Sequence, residues 1–292
     1  MSIDAHRPLP RRLRKRVAQT LALSLQDVDV CWRAGRLRVV TPGCADPRWL
    51  PLEALVFADD VVLLDGQAIG PAAATVCALL NKPKGVTSTA SDPRGKSDLS
   101  PYLQAMPSGC FAVGRLDRET TGLLLFTNDG DLANAVLRPD HHTAKLYWLW
   151  LDEAISEDDP RLARLVEGVA HNGEQLAARS VSIVAKAEYA TELALTLTQG
   201  RKRQVRNMCT ALGLPLVHLH RREIGPLTDA GLALGAWRLL EAPEIEALWQ
   251  SAGGRTELRR HKVAALTQLA SDAREAGAPD TRLEHWLEAE PM

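Results

Sequence analysis

The sequence has few cysteines, no long apolar run and no large excess of positive or negative charge. Its five cysteines lie far apart along 292 residues, and no two of them form a Cys-x-x-Cys pair. This spacing argues against a disulfide framework or a cysteine-rich zinc site, and it favours the reducing cytoplasm. No apolar stretch approaches the roughly 18 residues of a membrane span. A net charge of −1 argues against a general polycation.

Several common active-site motifs are also absent. The sequence has no glycine-rich dinucleotide loop, no Walker-type phosphate loop, no His-Glu-x-x-His and no Gly-x-Ser-x-Gly. The nearest approach to a metal site is His218 and His220, which alternate on one face of a predicted strand. Two ligands without a third are a weak metal site. We therefore expect no metal, and we interpret the pair as polar residues on an exposed face.

The composition is that of a globular protein, with a local excess of positive charge at the N-terminus. Hydrophobic residues make up 46% and charged residues 24% of the chain, which fits one large domain or two modest ones. In the first 41 residues, nine lysines and arginines outnumber three aspartates, and this surplus of about six cations is large enough to matter for phosphate contacts. Leu13, Val17 and Leu21 recur at helical spacing and predict a short helix with a basic outer surface.

The middle of the chain alternates predicted strands and helices. Apolar runs predict strands at 77–80 and 123–127, and a nearly all-apolar run at 145–151 predicts a strand buried on both faces. The leucines of 193–197 alternate with alanine and threonine, which predicts a strand with one buried face. Asp131 is expected to cap a helix that runs to residue 137.

A predicted helix after these strands begins with a cluster of cations. Val205, Met208, Cys209 and Leu212 form an apolar stripe, and Gly213 follows where a C-terminal cap belongs. The start of this helix carries four cations and no anion: Arg201, Lys202, Arg203 and Arg206. Basic side chains and free backbone N–H groups converge there, which favours a phosphate-binding site.

Asp117 is the most informative single residue, because Arg115 and Arg118 flank it in a turn before a buried strand. Two cations this near favour the ionised carboxylate at neutral pH, which is the state that a nucleophile requires. From this spacing alone, an ion pair that holds the turn is the more common explanation. The residues around Asp117 therefore allow both a catalytic and a structural interpretation.

The segment 114–125 closely resembles the aspartate motif of the RsuA-type ribosomal RNA pseudouridine synthase family, the branch that includes RsuA, RluB, RluE and RluF. The resemblance spans roughly residues 76 to 240. Five further segments match this family in the expected order: 80–86, 145–147, 200–213, 219–227 and 235–239.

This resemblance implies a role for each matched residue. Asp117 would be the nucleophile that attacks either the ribose C1′ or the uracil ring, Tyr147 would stack on the uracil and assist proton transfer, and Arg206 would pair with Asp117. Arg115 would fill the gap left in the RNA when the uridine flips out. No cofactor is implied. Other basic residues are expected to contact RNA: Lys82, Lys84, Lys145, Arg201, Lys202, Arg203, Arg14, Lys15 and Arg36.

Several of these residues also fit structural roles. Tyr147 lies on a buried strand, where a core aromatic is common. Arg206 lies at the edge of its helix's apolar stripe, where either an ion pair or a snorkelling surface arginine is plausible. Lys82 and Lys84 fit solvated cations in a turn. It is the joint occurrence of the motifs that favours the functional interpretation.

The predicted architecture is an α+β protein of three parts. Residues 1–70 are expected to form a small basic RNA-binding module, a degenerate version of the one in ribosomal small-subunit protein four. Residues 71–242 are expected to form a pseudouridine synthase catalytic domain, with a mixed, mainly antiparallel sheet and flanking helices. In residues 243–292, acidic residues outnumber basic ones, and we expect an acidic helical extension there.

The predicted function is isomerisation of a specific uridine in ribosomal RNA to pseudouridine. We expect a cytoplasmic monomer that binds ribosomal RNA, free or in an assembling subunit, and that uses no membrane or metal. Two other functions fit the sequence: a non-catalytic RNA-binding or ribosome-assembly factor with the same fold, and a synthase acting on transfer RNA. The intact Asp117, Tyr147 and Arg206 argue against the first of these.

Overall fold

A computed structural model describes residues 8–44, 46–70, 74–92, 95–138 and 143–289. None of the helices in these ranges has the length and hydrophobicity of a membrane span. The helices are α1 (Leu13–Leu21), α2 (Leu25–Arg33), α3 (Ser100–Ala105), α4 (Gly130–Leu137), α5 (Pro160–Glu167), α6 (Gln204–Ala211), α7 (Ala242–Ser251), α8 (Gly254–Glu275) and α9 (Thr281–Glu288). The first strands are β1 (Arg11–Arg12), β2 (Leu37–Val40), β3 (Leu55–Val56), β4 (Val61–Leu64), β5 (Gln67–Ala68), β6 (Cys77–Lys82), β7 (Phe111–Val113) and β8 (Thr121–Thr127). The remaining strands are β9 (Lys145–Leu151), β10 (Val169–His171), β11 (Glu174–Leu176), β12 (Ser180–Ala187), β13 (Ala190–Leu197), β14 (Leu216–Ile224), β15 (Leu227–Thr228) and β16 (Trp237–Leu239).

The chain divides into two compact units. One contains residues 1–74 together with 254–292, and the other contains residues 75–253. The predicted three-part division differs from this arrangement at its C-terminal end. Helix α7 belongs to the second unit, whereas α8 and α9 belong to the first. We therefore call residues 1–74 with 254–292 the terminal unit and residues 75–253 the central unit.

The N-terminal part of the terminal unit packs α1 and α2 beside a small antiparallel sheet of order β2-β4-β5. The predicted helix with Leu13, Val17 and Leu21 is confirmed as α1, and Leu13 and Val17 are buried. Ser24 caps α2 by accepting a hydrogen bond from the Asp27 backbone N–H, and Asp27 accepts one in return, which satisfies free N–H groups at the start of the helix.

The C-terminal helices α8 and α9 form a second apolar core with the N-terminal segment. Phe57, Ala270, Leu283 and Trp286 are buried in this cluster. Arg282 donates hydrogen bonds to Asp60 at 2.8 Å and to Asp59 at 2.7 Å. The expected C-terminal helices are present as α8 and α9, and their buried apolar side chains pack against residues of the N-terminal segment in the same unit.

The central unit is built on one sheet of nine strands. Its main order is β12-β13-β9-β14-β8-β6-β16, with β15 beside β14 and β7 beside β8. Strands β14 and β8 pair in parallel, and the other neighbouring strands pair antiparallel. The predicted α+β fold with a mixed, mainly antiparallel sheet is therefore confirmed.

Two local predictions in the central unit are wrong in detail. Strand β9 is not buried on both faces, because Lys145, Tyr147, Leu149 and Leu151 are buried while the residues between them are partly exposed. The cap of α4 is Asp129 rather than Asp131: its side chain accepts hydrogen bonds from the backbone N–H groups of Asp131 and Leu132. The alternating leucines of β13 are buried as predicted.

Candidate functional site

The central unit contains a cavity of about 460 Å³ at the junction of four segments. The segments are the loop between β7 and β8, strand β9, strand β14 and the start of α6, and each contributes at least one ionisable side chain. This volume lies within the range of small-molecule sites. Its lining includes these ionisable side chains: Asp117, Lys145, Tyr147, Arg203, Arg206 and Arg221. Asp117, Tyr147 and Arg206, which the sequence singled out, therefore line one cavity.

The loop that carries Asp117 is held by hydrogen bonds from several directions. The Ser88 hydroxyl donates to the Leu116 carbonyl at 2.8 Å and accepts from the Leu116 N–H at 3.1 Å. The Thr120 N–H donates to the Asp117 carbonyl at 3.0 Å. These bonds hold the backbone on both sides of Asp117, whose side chain is 29% exposed. The carboxylate is consequently presented to the cavity from a constrained loop.

The cations nearest the Asp117 carboxylate come from α6 and the residue before it. Arg203 Nη1 lies 3.8 Å and Arg206 Nε lies 3.9 Å from Asp117 Oδ2. The flanking arginines, which the sequence suggested as partners, point elsewhere: Arg118 lies 3.5 Å from Glu119, and Arg115 is exposed at the cavity. The nearest cations are thus distant in sequence because the fold brings α6 to this loop.

Arg206 is a mostly buried arginine that joins α6 to the Asp117 loop. Its Nη2 donates to the Glu119 carbonyl at 3.1 Å and to the Thr120 hydroxyl at 3.3 Å. Burial lowers the pKa of Arg206, and the neighbouring Arg203 lowers it further, while Asp117 acts in the opposite direction. Of the two structural interpretations that its helix position allowed, the ion pair is the one formed.

Tyr147 combines a core position with access to the cavity. Tyr147 is 8% exposed and packs in the apolar cluster of the central unit. It also lines the cavity. Arg221 Nη1 donates to the Tyr147 hydroxyl at 3.4 Å. Tyr147 is thus both a core aromatic and a site residue, two interpretations that sequence periodicity treated as alternatives.

The predicted RNA contacts in the central unit fall into two groups. Arg201, Lys202 and Arg203 are exposed at the cavity, as is expected of cations that contact a phosphate backbone. Lys84 is also exposed, with its Nζ 3.6 Å from Glu119. By contrast, Lys82 and Lys145 are buried and donate to backbone carbonyls at 2.9 Å.

Lys82 was predicted to be an exposed cation, but the structure buries it. Its ammonium is fully buried and donates to the carbonyls of Pro83 and Val86. It lies at the end of β6 rather than in a solvated turn. Burial lowers the pKa of Lys82 to about 8 against the opposing influence of Asp117. Burial, with Arg221 nearby, likewise lowers the pKa of Lys145 to about 8, but Lys145 borders the cavity.

Lys82→Met is expected to remove a pH-dependent part of the stability. The pKa of Lys82 is about 8 in the folded chain, whereas an unfolded lysine titrates near about 10.4, so the unfolded chain holds more protons between these values. The contribution of Lys82 to the free energy of unfolding therefore rises as the pH increases from about 8 to about 10.5, and it is lost as the pH falls again.

Urea unfolding of the wild type and of Lys82→Met at several pH values tests this expectation. The wild type should gain about 1 to 3 kcal/mol relative to Lys82→Met between about pH 8 and pH 10. Lys84→Met is the matched control, because Lys84 is exposed two residues away, and its stability should follow that of the wild type. Parallel pH profiles for the wild type and Lys82→Met would contradict the prediction.

The predicted RNA contacts in the terminal unit are partly neutralised by carboxylates. Arg14 lies 2.5 Å from Asp29, and Arg36 forms a two-bonded ion pair with Asp65 at 2.6 and 2.9 Å. The hydrogen bonds to Arg36 lower the pKa of Asp65. Lys15 is exposed on α1. The surplus of cations counted from the sequence therefore overstates the charge that is free to meet an anion.

His218 and His220 lie on one face of β14, as the alternation predicted. Both contact the Thr121 hydroxyl, with Oγ1 3.1 Å from His218 Nε2 and 2.7 Å from His220 Nδ1. His220 also lies 2.6 Å from Asp229. Burial and the neighbouring His220 lower the pKa of His218. Within the described ranges, no group of three or more histidine, cysteine, aspartate or glutamate side chains could hold a metal ion.

Arg221 is a site residue that the sequence analysis did not single out. It is 4% exposed, lines the cavity and contacts Tyr147. The signal was present in the sequence, because Arg221 occupies the same face of β14 as the buried Leu219. A charged residue at a buried-face position of a strand is uncommon unless its polar groups are satisfied.

The residues that build this cavity fall in a region that matches a known family. The family model described as RNA pseudouridylate synthase matches residues 76–211. A solved structure described as a pseudouridylate synthase is 26% identical in sequence, has a TM-score of 0.54, and covers 82% of this chain and 100% of its own.

Several curated proteins are similar over most of the chain. An RNA pseudouridine synthase of Mycobacterium leprae is 34% identical over 200 residues, which cover 66% of this chain and 76% of that protein. The dual-specificity RNA pseudouridine synthase RluF of Salmonella typhi is 31% identical and covers 74% of this chain and 72% of its own. The ribosomal small subunit pseudouridine synthase A of Escherichia coli K12 is 36% identical and covers 58% of this chain and 72% of its own.

Proposed function

This chain belongs to the RNA pseudouridylate synthase family, in its RsuA-type branch, and from that premise we propose that it converts a specific uridine of ribosomal RNA to pseudouridine with Asp117 as the nucleophile. It is an isomerase that acts on RNA. The finer statements are the proposal: the ribosomal substrate, the choice of one uridine and the roles of individual residues. The names of relatives that act on ribosomal RNA support that substrate class.

The reaction rearranges one nucleotide without gain or loss of atoms. In uridine the base joins the ribose through N1, and in pseudouridine it joins through C5, so the C1′–N1 bond breaks and a C1′–C5 bond forms. C5 loses its proton and N1 gains one, which keeps the composition unchanged. The Asp117 carboxylate would add to the nucleotide, either at the ribose C1′ or at the uracil ring, and leave again at the end of the cycle. No electron is exchanged with another molecule, and we propose that no cofactor is used.

The observation that carries this proposal is the pairing of a constrained carboxylate with two guanidinium groups at the edge of a cavity. Asp117 Oδ2 lies within 4 Å of both Arg203 and Arg206, and Tyr147 lines the same space. Cations at these distances favour the ionised carboxylate and hold it in place. A surface ion pair alone would not need an aromatic side chain and a cavity beside it.

Access to the uracil requires that the nucleotide leave the RNA stack. Enzymes that act on a base in this way flip it into a pocket and recover part of the unstacking free energy through an aromatic contact. We propose that Tyr147 makes this contact and that the exposed Arg115 occupies the gap in the RNA. Arg201, Lys202 and Arg203 would bind the phosphates on either side of the flipped nucleotide.

We also propose that the terminal unit contributes to RNA binding through its exposed cations. Arg14 and Arg36 are each paired with an aspartate, so their net electrostatic attraction for phosphate is reduced. Lys15 is exposed on the basic helix α1. Among the predicted contacts of this unit, Lys15 is therefore the residue whose removal should most directly weaken attraction to RNA.

Lys15→Gln is expected to flatten the salt dependence of RNA binding in the full-length chain. Each lost phosphate contact should reduce the slope of log affinity against log salt by about 0.7 to 0.9. Turnover at saturating RNA should change little, because Lys15 lies outside the unit that holds Asp117. Filter binding to ribosomal RNA at several salt concentrations gives the slope.

The matched control for this experiment is Lys186→Gln, which removes one partly exposed positive charge from the central unit. Its salt slope should equal that of the wild type. An unchanged slope for Lys15→Gln would mean that α1 faces only solvent in the RNA complex. The cluster at Arg201, Lys202 and Arg203 would then be the main anchor.

Chemical mapping of pseudouridine in total RNA tests the proposed function. Cells that lack this gene should lose pseudouridine at one ribosomal RNA position, and a plasmid with the wild-type gene should restore it. Loss at a transfer RNA position instead would overturn the ribosomal assignment. No lost position in any RNA, despite measurable RNA binding by the purified protein, would favour a non-catalytic assembly factor.

A further inference from the structure

Arg221 is a buried cation at the cavity that forms no ion pair with any carboxylate in the described ranges. The residue is 4% exposed. Its Nε donates to the Leu123 carbonyl at 2.8 Å, and its Nη1 donates to the Tyr147 hydroxyl at 3.4 Å. Its Nη2 is buried and has no hydrogen-bond partner. The guanidinium thus has two anchors and an incomplete set of acceptors.

This arrangement is unfavourable if Arg221 serves only the fold. A buried charge without a compensating carboxylate loses hydration, and an unsatisfied N–H group adds to that loss. An apolar side chain of similar length could fill the same volume with less desolvation. The burial of Leu219 on the same face of β14 indicates that apolar residues are accommodated there. The position of Arg221 therefore calls for a role beyond packing.

Strand pairing places Arg221 between the two segments that carry the site. Arg221 is the register partner of Tyr147 on β9 and of Gly122 on β8. Gly122 has a φ of +106°, and a Cβ on it would lie 2.3 Å from the Arg221 carbonyl oxygen. This close approach brings β14 against the strand that begins directly after the Asp117 loop. One residue is thereby coupled to both Tyr147 and the segment beside Asp117.

We propose that Arg221 is the positioning residue for Tyr147, and that it holds the phenol hydroxyl in the orientation that the flipped uracil requires. The proposal rests on the function proposed above. The Leu123 carbonyl holds the guanidinium, and the guanidinium in turn donates to the Tyr147 hydroxyl, so that this hydroxyl has a donor that is itself fixed. Arg221 would act on turnover through Tyr147 rather than through the fold or through RNA affinity.

A double-mutant cycle tests this coupling. Arg221→Gln and Tyr147→Phe should each lower kcat by about 30-fold, with KM for ribosomal RNA from cells lacking the gene within about three-fold of the wild type. The kcat of the double variant should be no more than about three-fold below that of the less active single variant, because both changes remove one shared interaction. Effects that multiply in the double variant would overturn the proposal.

Arg222→Gln is the matched control, since it removes the next arginine on β14. Arg222 lies over the Trp148 ring, 4.1 Å from its centroid, and pairs with Asp229 at 3.2 Å, and neither contact involves the Tyr147 hydroxyl. Its effect on kcat should multiply with that of Tyr147→Phe. Arg221→Lys gives a second test of the position, and it should recover only part of kcat, because an ammonium lacks the planar fork of a guanidinium.

Tyrosine NMR tests the contact without RNA or turnover. The chain has three tyrosines, Tyr102, Tyr147 and Tyr189, so carbon-13 labelling at Cζ gives a spectrum in which Tyr147→Phe assigns its signal. Arg221→Gln should shift the Tyr147 signal and leave the other two in place, and Arg222→Gln should shift none of them. An unmoved Tyr147 signal in a folded Arg221→Gln protein would overturn the proposal. A wild type that forms no pseudouridine would instead overturn the proposed function, and this spectrum distinguishes the two failures.

Discussion

The Asp117→Asn variant is expected to form no pseudouridine while it binds RNA with an affinity within about three-fold of the wild type. The amide has the size of the carboxylate but lacks its nucleophilic charge. It can also keep the backbone hydrogen bonds of the loop, because those involve the Asp117 carbonyl and not its side chain. Single-turnover assays on ribosomal RNA from cells lacking the gene measure the first quantity, and filter binding measures the second.

Glu119→Gln is the matched control for this prediction. Glu119 is a partly exposed carboxylate in the same loop, close to Lys84 and Arg118, and its removal changes the net charge by the same amount. Turnover by Glu119→Gln should stay within about five-fold of the wild type. Asp117→Ala is a second variant, because deamidation of the asparagine in Asp117→Asn would regenerate the aspartate. Substantial turnover by both Asp117 variants would exclude this residue as the nucleophile.

Arg206→Ala is expected to lower turnover by about 100-fold or more. The substitution removes the guanidinium that lies 3.9 Å from the Asp117 carboxylate, together with the hydrogen bonds to Glu119 and Thr120 that hold the loop. Arg206→Lys should recover only part of the activity, because a point charge cannot make the same set of bonds. RNA affinity measured beside the rate separates loss of catalysis from loss of binding.

Arg203→Ala provides the contrast, because Arg203 is equally near Asp117 but has a side chain that is 47% exposed, against 16% for Arg206. Solvent screens an exposed pair, so we expect a loss of turnover below about ten-fold for Arg203→Ala. Equal losses for the two variants would mean that proximity alone matters. Near-normal turnover by Arg206→Ala would remove the pair with Asp117 from the mechanism.

The elements that position these residues were largely predictable from the sequence. The apolar stripe of Val205, Met208 and Cys209 predicted α6, and the alternating leucines predicted β13, because side chains on one face of an element must share one environment. The segment around Asp117 likewise predicted a loop before a buried strand, which is β8. The joint occurrence of the motifs in order also indicated the family, which the comparisons confirm.

The partners of Asp117 were predicted only in part. The family resemblance implied Arg206, and sequence proximity favoured Arg115 and Arg118, whereas the nearest cations are Arg203 and Arg206. A turn can direct adjacent side chains away from each other, and here Arg118 pairs with Glu119 instead. Contacts across such a long stretch of chain follow from how β8, β9 and β14 pair with one another. Hydrophobic periodicity carries no information on that pairing.

The sequence by itself determined helices α1, α4 and α6, strands β6, β8, β9 and β13, the mixed α+β class and the family. It also selected Asp117, Tyr147 and Arg206, which line one cavity. Each of these depends on local spacing or on ordered motifs. The tertiary structure decided three further features: the burial of Lys82 at the end of a central strand, the contact of Arg221 with Tyr147, and the packing of α8 and α9 with the N-terminal segment. The physical reason is shared. Burial, a shifted lysine pKa and an ion pair depend on which distant segments exclude water from a side chain, and that is set only when the whole chain packs.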